Sequence, residues 1–219
     1  MLSKIIDLIV PSSCQVCGRE GELVCGGCRE EHLTGRTPSC FRCNKISRAG
    51  RTCASCRSAT KLSGAIVAYR FDGAVKELVY RLKYLSDRAV ARFLAREMAA
   101  IVDKSQFDLV SFVPSDGAAL RQRGYNQAQL IARELARQIE MPCEGVLLRV
   151  KHSSQTKLGR HERLAAVRGN FVVLPKPIEN QRLLVVDDVL TTGATLSECA
   201  RVLKNAGARS VWGAVAAKK

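Results

Sequence analysis

The sequence predicts an α/β protein, a parallel sheet flanked by helices, led by a small cysteine-rich segment. Three observations carry that expectation. From about Ser63, apolar runs of strand length alternate with amphipathic runs of helix length, the pattern of a parallel sheet covered on both faces. Eight of the ten cysteines lie between Cys14 and Cys56, in four Cys-x-x-Cys pairs. The 219 residues, 47% hydrophobic and 25% charged, can bury a core and exclude a disordered or fibrous chain. The expected division is 1–62 for the cysteine segment and 63–219 for the sheet domain.

At the start, Ile5, Ile6, Leu8, Ile9 and Val10 form a short apolar stretch interrupted by Asp7. It lacks a basic flank and an Ala-x-Ala-like site, so it does not read as a signal peptide. No apolar run approaches the ~20 residues of a membrane span. The expected compartment is the cytoplasm, where paired cysteines more often hold metal than form disulfides.

The pairs are Cys14/Cys17, Cys25/Cys28, Cys40/Cys43 and Cys53/Cys56. Each turn brings two thiolates within reach of one ion, and two turns complete a closed tetrahedral S4 site. Eight ligands therefore predict two structural Zn2+ ions, most simply from sequential pairs, with an interleaved arrangement left open. Cys143 and Cys199 lie in apolar patterns and read as packing residues. The formal net charge is +15, which points to polyanions: nucleic acid, phosphorylated small molecules or the surface of an anionic membrane, the last by peripheral association only. Eight thiolates and two Zn2+ would lower +15 to +11. Between Arg36 and Lys61 there is no acid. That run reads either as compensation for anionic zinc–thiolate centres or as a nucleic-acid-binding knuckle with Phe41 as a stacking residue.

The domain elements follow in order: a strand at 65–71, helices at 74–85 and 89–102, a strand at 109–113 ended by Pro114, and a helix at 127–139 with Leu130, Ile131, Leu135 and Ile139 on one face. Short strands follow at 146–150 and 171–174, then an apolar strand at 182–186, a helix at 196–205 and a last strand at 211–216.

The most specific segment runs from Leu183 through Asp187 and Asp188 to Thr195. It reads as a buried strand, two acids at its carboxyl end, and a small polar loop opening a helix. The amides of Thr191, Thr192, Gly193, Ala194 and Thr195 favour a phosphate group, and Gly193 allows close backbone approach. It is not a Walker loop, since no Lys follows the glycine. Two adjacent acids suit a ribose diol or Mg2+. Asp188 or Thr195 could instead be an ordinary helix cap.

This segment resembles the 5-phosphoribosyl-1-pyrophosphate (PRPP) motif of type I phosphoribosyltransferases. The resemblance implies a type I phosphoribosyltransferase-like sheet. Asp187 and Asp188 would sit on the ribose hydroxyls, with Mg2+ nearby, as the catalytic acids, and Thr191 through Thr195 on the 5′-phosphate. The four cysteine pairs, Val113-Pro114-Ser115, Arg123-Gly124-Tyr125-Asn126-Gln127, the Gln155 to Phe171 segment and the PRPP motif together resemble the ComF competence family. That likeness implies Lys83, Pro114, Ser115 and Arg123 at the pyrophosphate. It also implies a hood over the site with Gln155, Leu158 and Arg163 in family positions, while Ala166 departs from the Asn common there. Arg121 and Asn126 follow the Pro114 turn and could reach phosphates. Arg88, Arg92 and Arg96 form a helix stripe that is either a solvated face or a contact for a nucleic-acid backbone.

Two functions follow from the resemblance. One is a PRPP-binding protein of the ComF type that supports DNA uptake and natural transformation by handling single-stranded DNA, with other proteins of the uptake machinery as partners. The other is an active phosphoribosyltransferase of nucleotide salvage, transferring ribose 5-phosphate to an acceptor the sequence does not name.

Overall fold

The computed structural model describes residues 13–33, 35, 37–85, 87–150 and 167–219. Four strands form one parallel sheet in the order β1 (Gly64–Arg70), β6 (Ser210–Lys218), β5 (Arg182–Leu190) and β2 (Leu109–Phe112). Helices α3 (Gly73–Tyr84), α4 (Arg88–Ala99) and α6 (Gln127–Gln138) cover one face, and α7 (Ala194–Asn205) the other. The sheet is thus buried on both sides, as the unbroken apolar runs of β5 and β6 require. Leu183, Leu184, Val185 and Val186 of β5 are each fully buried, and each such side chain contributes roughly 1.5–3 kcal/mol relative to exposure.

The helices form where caps and apolar spacing agree. Asp87 accepts from the Ala89 amide at the start of α4, and Val90, Ala91, Leu94, Ala95 and Met98 then recur on its buried face. Asn126 caps α6, whose inner face carries Ala128, Ile131, Ala132, Leu135 and Ala136. Alanines on both helices allow α4 and α6 to pack against one another.

The cysteine segment lies along the outer edge of β1. Antiparallel bridges join Gly35 to Tyr69 and Arg51 to Gly64, so an edge that would otherwise expose unpaired amides is closed near both ends. The segment also supplies apolar residues to both layers. Cys14, Val24 and Cys28, beside the short helix α1 (Gly26–His32), join the cluster under α3 and α4. Phe41 and Leu62, before and after the short helix α2 (Ala54–Arg57), join the cluster under α7.

The structure departs from the sequence expectation in four places. Strand β5 does not end at Val186; it continues to Leu190, with Asp187 opposite Val215 and Val189 opposite Ala217. The backbone ladder of β6 extends that far and is indifferent to the side chains it carries. Strands β3 (Leu147–Arg149) and β4 (Phe171–Val173) pair antiparallel with each other, outside the main sheet. A helix not expected, α5 (Gly117–Arg123), is capped by Asp116 and stopped by left-handed Gly124; its Gly-Ala-Ala opening has no apolar period to reveal it. Phe41 is not a surface stacking residue; at 3% exposure it is core. Among the described residues no helix is long and apolar enough to cross a membrane.

Gly64 marks a close crossing of the edge. A Cβ there would overlap the Trp212 ring and come within 2.8 Å of the Gly50 carbonyl oxygen. Gly64→Ala is expected to lower stability by about 1–3 kcal/mol. Gly26→Ala, at a position with open space around it, should change little. Denaturant midpoints of the two variants check this.

Candidate functional site

The carboxyl ends of β5 and β2, the last turn of α3 and the starts of α5, α6 and α7 converge at one end of the sheet. Here β5 delivers Asp187 and Asp188. Asp188 is 6% exposed, and its carboxylate faces Lys83 Nζ of α3 at 2.6 Å. Gln127 Nε2, at the start of α6, donates to the same Asp188 oxygen at 3.4 Å, and the Val189 amide donates to the other at 2.7 Å. Asp187 Oδ1 accepts from the Asp188 amide at 2.9 Å. Burial, then the neighbouring Asp188 charge, pushes the Asp187 carboxyl up to about 8. Adjacent carboxylates in a dry site resist full ionisation, and a cation or a hydroxyl-rich ligand would relieve both.

Beyond Leu190 the chain turns through Thr191 and Thr192 to Gly193, which takes the left-handed conformation (φ 77°) as N-cap of α7. The N-cap residue is Gly193, which has no side chain to cap the helix, so neither Asp188 nor Thr195 is its N-cap. Thr191 is exposed, Thr192 and Thr195 are half-buried, and the Thr192 hydroxyl accepts from the Ala194 amide at 3.3 Å. Ala194 and Thr195 belong to the first turn of α7, which starts two residues earlier than its apolar period indicates.

The turn after β2 brings Pro114 and Ser115, both half-buried, to the same end. Asp116 is committed to capping α5, through the Ala119 amide at 2.7 Å. Asn126, expected among the phosphate contacts, faces inward instead: it caps α6 and donates to the Val113 carbonyl at 2.9 Å, fastening the Pro114 turn to the helix. The Arg123 guanidinium lies 5.3 Å from the centre of the Tyr84 ring, beside Lys83. Arg123 Nε and Gln127 Oε1 are buried polar atoms without a hydrogen-bond partner among the described residues. Both flank the acids, and such atoms normally find a partner. Gln127 was not singled out from sequence; its place in the Arg123–Gln127 run was the available signal. Gln155, Leu158, Arg163 and Ala166 lie outside the described residues. Arg121 is exposed, as are Arg88, Arg92 and Arg96 on the outer face of α4.

The eight paired cysteines form two clusters from sequential pairs: Cys14, Cys17, Cys25 and Cys28, then Cys40, Cys43, Cys53 and Cys56. Within each cluster the sulfurs all lie within 4.8 Å of one another, with Cys17–Cys25 at 3.7 Å and Cys43–Cys53 at 3.5 Å. A tetrahedron with ~2.3 Å metal–sulfur bonds has edges of about 3.8 Å, so the donor set and its spacing fit zinc. None of the eight is in a disulfide. The Cys25 amide draws the Cys14 thiol down to about 6, and the Ser55 hydroxyl does the same for Cys53. Burial raises Cys28 and Cys56, the latter to about 12. Four thiolates this close repel, and a divalent ion removes the conflict. Cys199 is fully buried and Cys143 partly so, both in packing roles. His32 faces Glu31 and joins neither sulfur cluster.

A family described as Phosphoribosyl transferase domain matches residues 123–219. Competence protein F of Haemophilus influenzae is 27% identical over 205 residues, which cover 87% of this chain and 89% of that protein. DNA utilization protein YhgH of Escherichia coli K12 is 24% identical over 219 residues, covering 93% and 96% of the two. Among solved structures, orotate phosphoribosyltransferase from Aeropyrum pernix is 24% identical with a TM-score of 0.36; the match covers 60% of this chain and 61% of that one.

Elemental analysis of the purified protein should find about two zincs per chain. Cys43→Ser, at an exposed ligand of the second cluster, should leave about one.

Proposed function

Starting from a ComF-type, phosphoribosyltransferase-like chain with two four-cysteine centres, we propose that it binds PRPP with Mg2+ and handles single-stranded DNA during DNA uptake. The observation that carries the PRPP reading is the pair Asp187–Asp188 near the carboxyl end of a buried strand, followed through Thr191 and Thr192 by a helix whose N-cap residue, Gly193, has no side chain. Asp187 and Asp188 would hold the ribose hydroxyls. The amides and hydroxyls from Thr191 to Thr195 would hold the 5′-phosphate, where a helix N-terminus favours negative charge. Lys83 and Arg123, with the Pro114–Ser115 turn, would meet the pyrophosphate. When bound, Mg2+ would neutralise pyrophosphate oxygens and ease the crowding of the acids. The proposed division remains 1–62 for the zinc module and 63–219 for the PRPP domain.

The same residues would serve group transfer. A nucleophile would attack C1′ as pyrophosphate departs, and the chain's part would be to hold the sugar and to offset the leaving charge. Pyrophosphate release across a panel of bases and nucleotides separates transferase from sensor: turnover with any acceptor marks the former, binding without turnover the latter.

The DNA part rests on the likeness to a competence protein and a DNA utilization protein and on the net charge of +15. Lys45, Arg48, Arg51, Arg57 and Lys61 are all exposed on the second cysteine centre, with Arg88, Arg92 and Arg96 on α4. With Phe41 buried, backbone charge rather than stacking on this knuckle would supply the affinity.

PRPP with Mg2+ should raise the melting temperature of the protein, and the double variant Asp187→Ala, Asp188→Ala should lose the shift. An equal shift in the double variant would remove the assignment. Single-stranded DNA affinity should fall steeply as salt rises from about 50 to 200 mM; a flat response in a binding titration would argue against a basic DNA surface.

A further inference from the structure

Phe41 stands between two ligands of the second centre, Cys40 and Cys43, and its side chain reaches into the domain. Its ring lies over Gly193. A Cβ on Gly193 would come within 2.6 Å of both Phe41 Cδ2 and Cε2, so the ring fills the space that any other residue at the cap of α7 would need. The backbone around the ring is tied to the sheet at the same point. Lys218 Nζ, at the end of β6, donates to the Phe41 carbonyl at 2.9 Å and to the Asn44 side chain. The neighbouring Lys219 amide donates to the carbonyl of Leu190, the last residue of β5 before the loop. On the far side of the centre, the Thr60 hydroxyl donates to Ser197 in the first turn of α7 at 3.2 Å.

We propose that Phe41 is a positioning residue for the Thr191–Thr195 loop and that the second cysteine centre is its mount, so that metal at this centre and phosphate at the loop stabilise one another. The proposal rests on the reading of that loop as a phosphate site. A glycine in a left-handed turn has many alternative conformations, and confining it is what a backbone anion site requires. The ring confines Gly193 from one side, and the Cys40–Cys43 turn that carries the ring would be shaped by metal at its four sulfurs together with its hydrogen bonds and the packing of Phe41. The first centre contributes Cys14 and Cys28 to the other layer, with α3 and α4, and none of these contacts among the described residues ties it to the loop.

Coupling of this kind is reciprocal. The test uses zinc-loaded full-length protein and two readouts. Calorimetric PRPP·Mg2+ affinity should weaken about tenfold in Phe41→Ala and in Cys43→Ser, partly recover in Phe41→Leu, and stay unchanged in Ile46→Ala, a largely exposed neighbour on the same knuckle. Zinc release from the wild-type protein to a chromogenic chelator should show two phases, assigned by the phase missing in Cys43→Ser. PRPP·Mg2+ should slow the second-centre phase by a similar factor and leave the first-centre phase alone, and should slow neither in the Asp187→Ala, Asp188→Ala variant. Wild-type binding that Phe41→Ala does not weaken, or second-centre zinc release that PRPP does not slow, overturns the coupling while leaving the PRPP site standing. No PRPP binding by the wild type overturns both. The release experiment needs no variant of Phe41, so a folding defect in Phe41→Ala does not shield the proposal.

Discussion

Two carboxylates on adjacent residues of a strand buried on both faces set the terms for everything around them. The apolar run Leu183–Val186 fixes the position of β5 in the middle of the sheet, and pairing with β6 carries the strand past the acids to Leu190. The charge then has to be met where it lies. Lys83 comes from α3, Gln127 from α6 and the Val189 amide from β5 itself. Burial, with the neighbouring Asp188 charge, holds the Asp187 carboxyl well above the usual carboxylate range. Helices α3 and α6 therefore meet β5 through these polar contacts as well as by packing, and their last and first turns gather at the carboxyl end of the sheet.

The cysteine segment answers a different constraint, the open edge of β1. It meets that edge at two bridges and sends apolar side chains into both layers. Its second half carries Phe41 across to Gly193, next to the loop that follows the acids. Lys45, Arg48, Arg51, Arg57 and Lys61 are exposed, while Phe41, the one aromatic of the segment, faces the core. The segment thus has an inner surface concerned with the loop and an outer surface suited to a polyanion.

Much of this was legible in the sequence, and the exceptions have physical causes. The four cysteine pairs announced two sulfur clusters, and their pairing followed chain order. The strand, acid pair and small polar loop were recognisable as a unit because buried strands rarely end in two acids. What sequence missed depends on partners distant in the chain. The resemblance places Lys83 at this end of the sheet, but its pairing with Asp188, like that of Gln127, follows from the packing of α3 and α6. Asn126 is of a type that suits both capping and phosphate binding; in the structure it caps α6 and donates to the Val113 carbonyl 13 residues away. Phe41 beside Arg42 carries no mark of whether its ring faces solvent or a glycine 152 positions later. The length of β5 was underestimated because hydrophobicity, not backbone pairing, was the signal.

The closed edge of β1 bears on how such a chain can be taken apart or recombined. A segment that completes a sheet border and fills both layers is not a detachable tag. Cutting it away would leave an uncapped strand, an apolar gap on each side of the sheet and a glycine with nothing above it. Gene fusions that trade this head for another would have to replace three contacts at once, whereas additions at the outer, basic surface disturb none of them. Variation should therefore accumulate on the outside of the knuckles and stay away from the residues that touch β1.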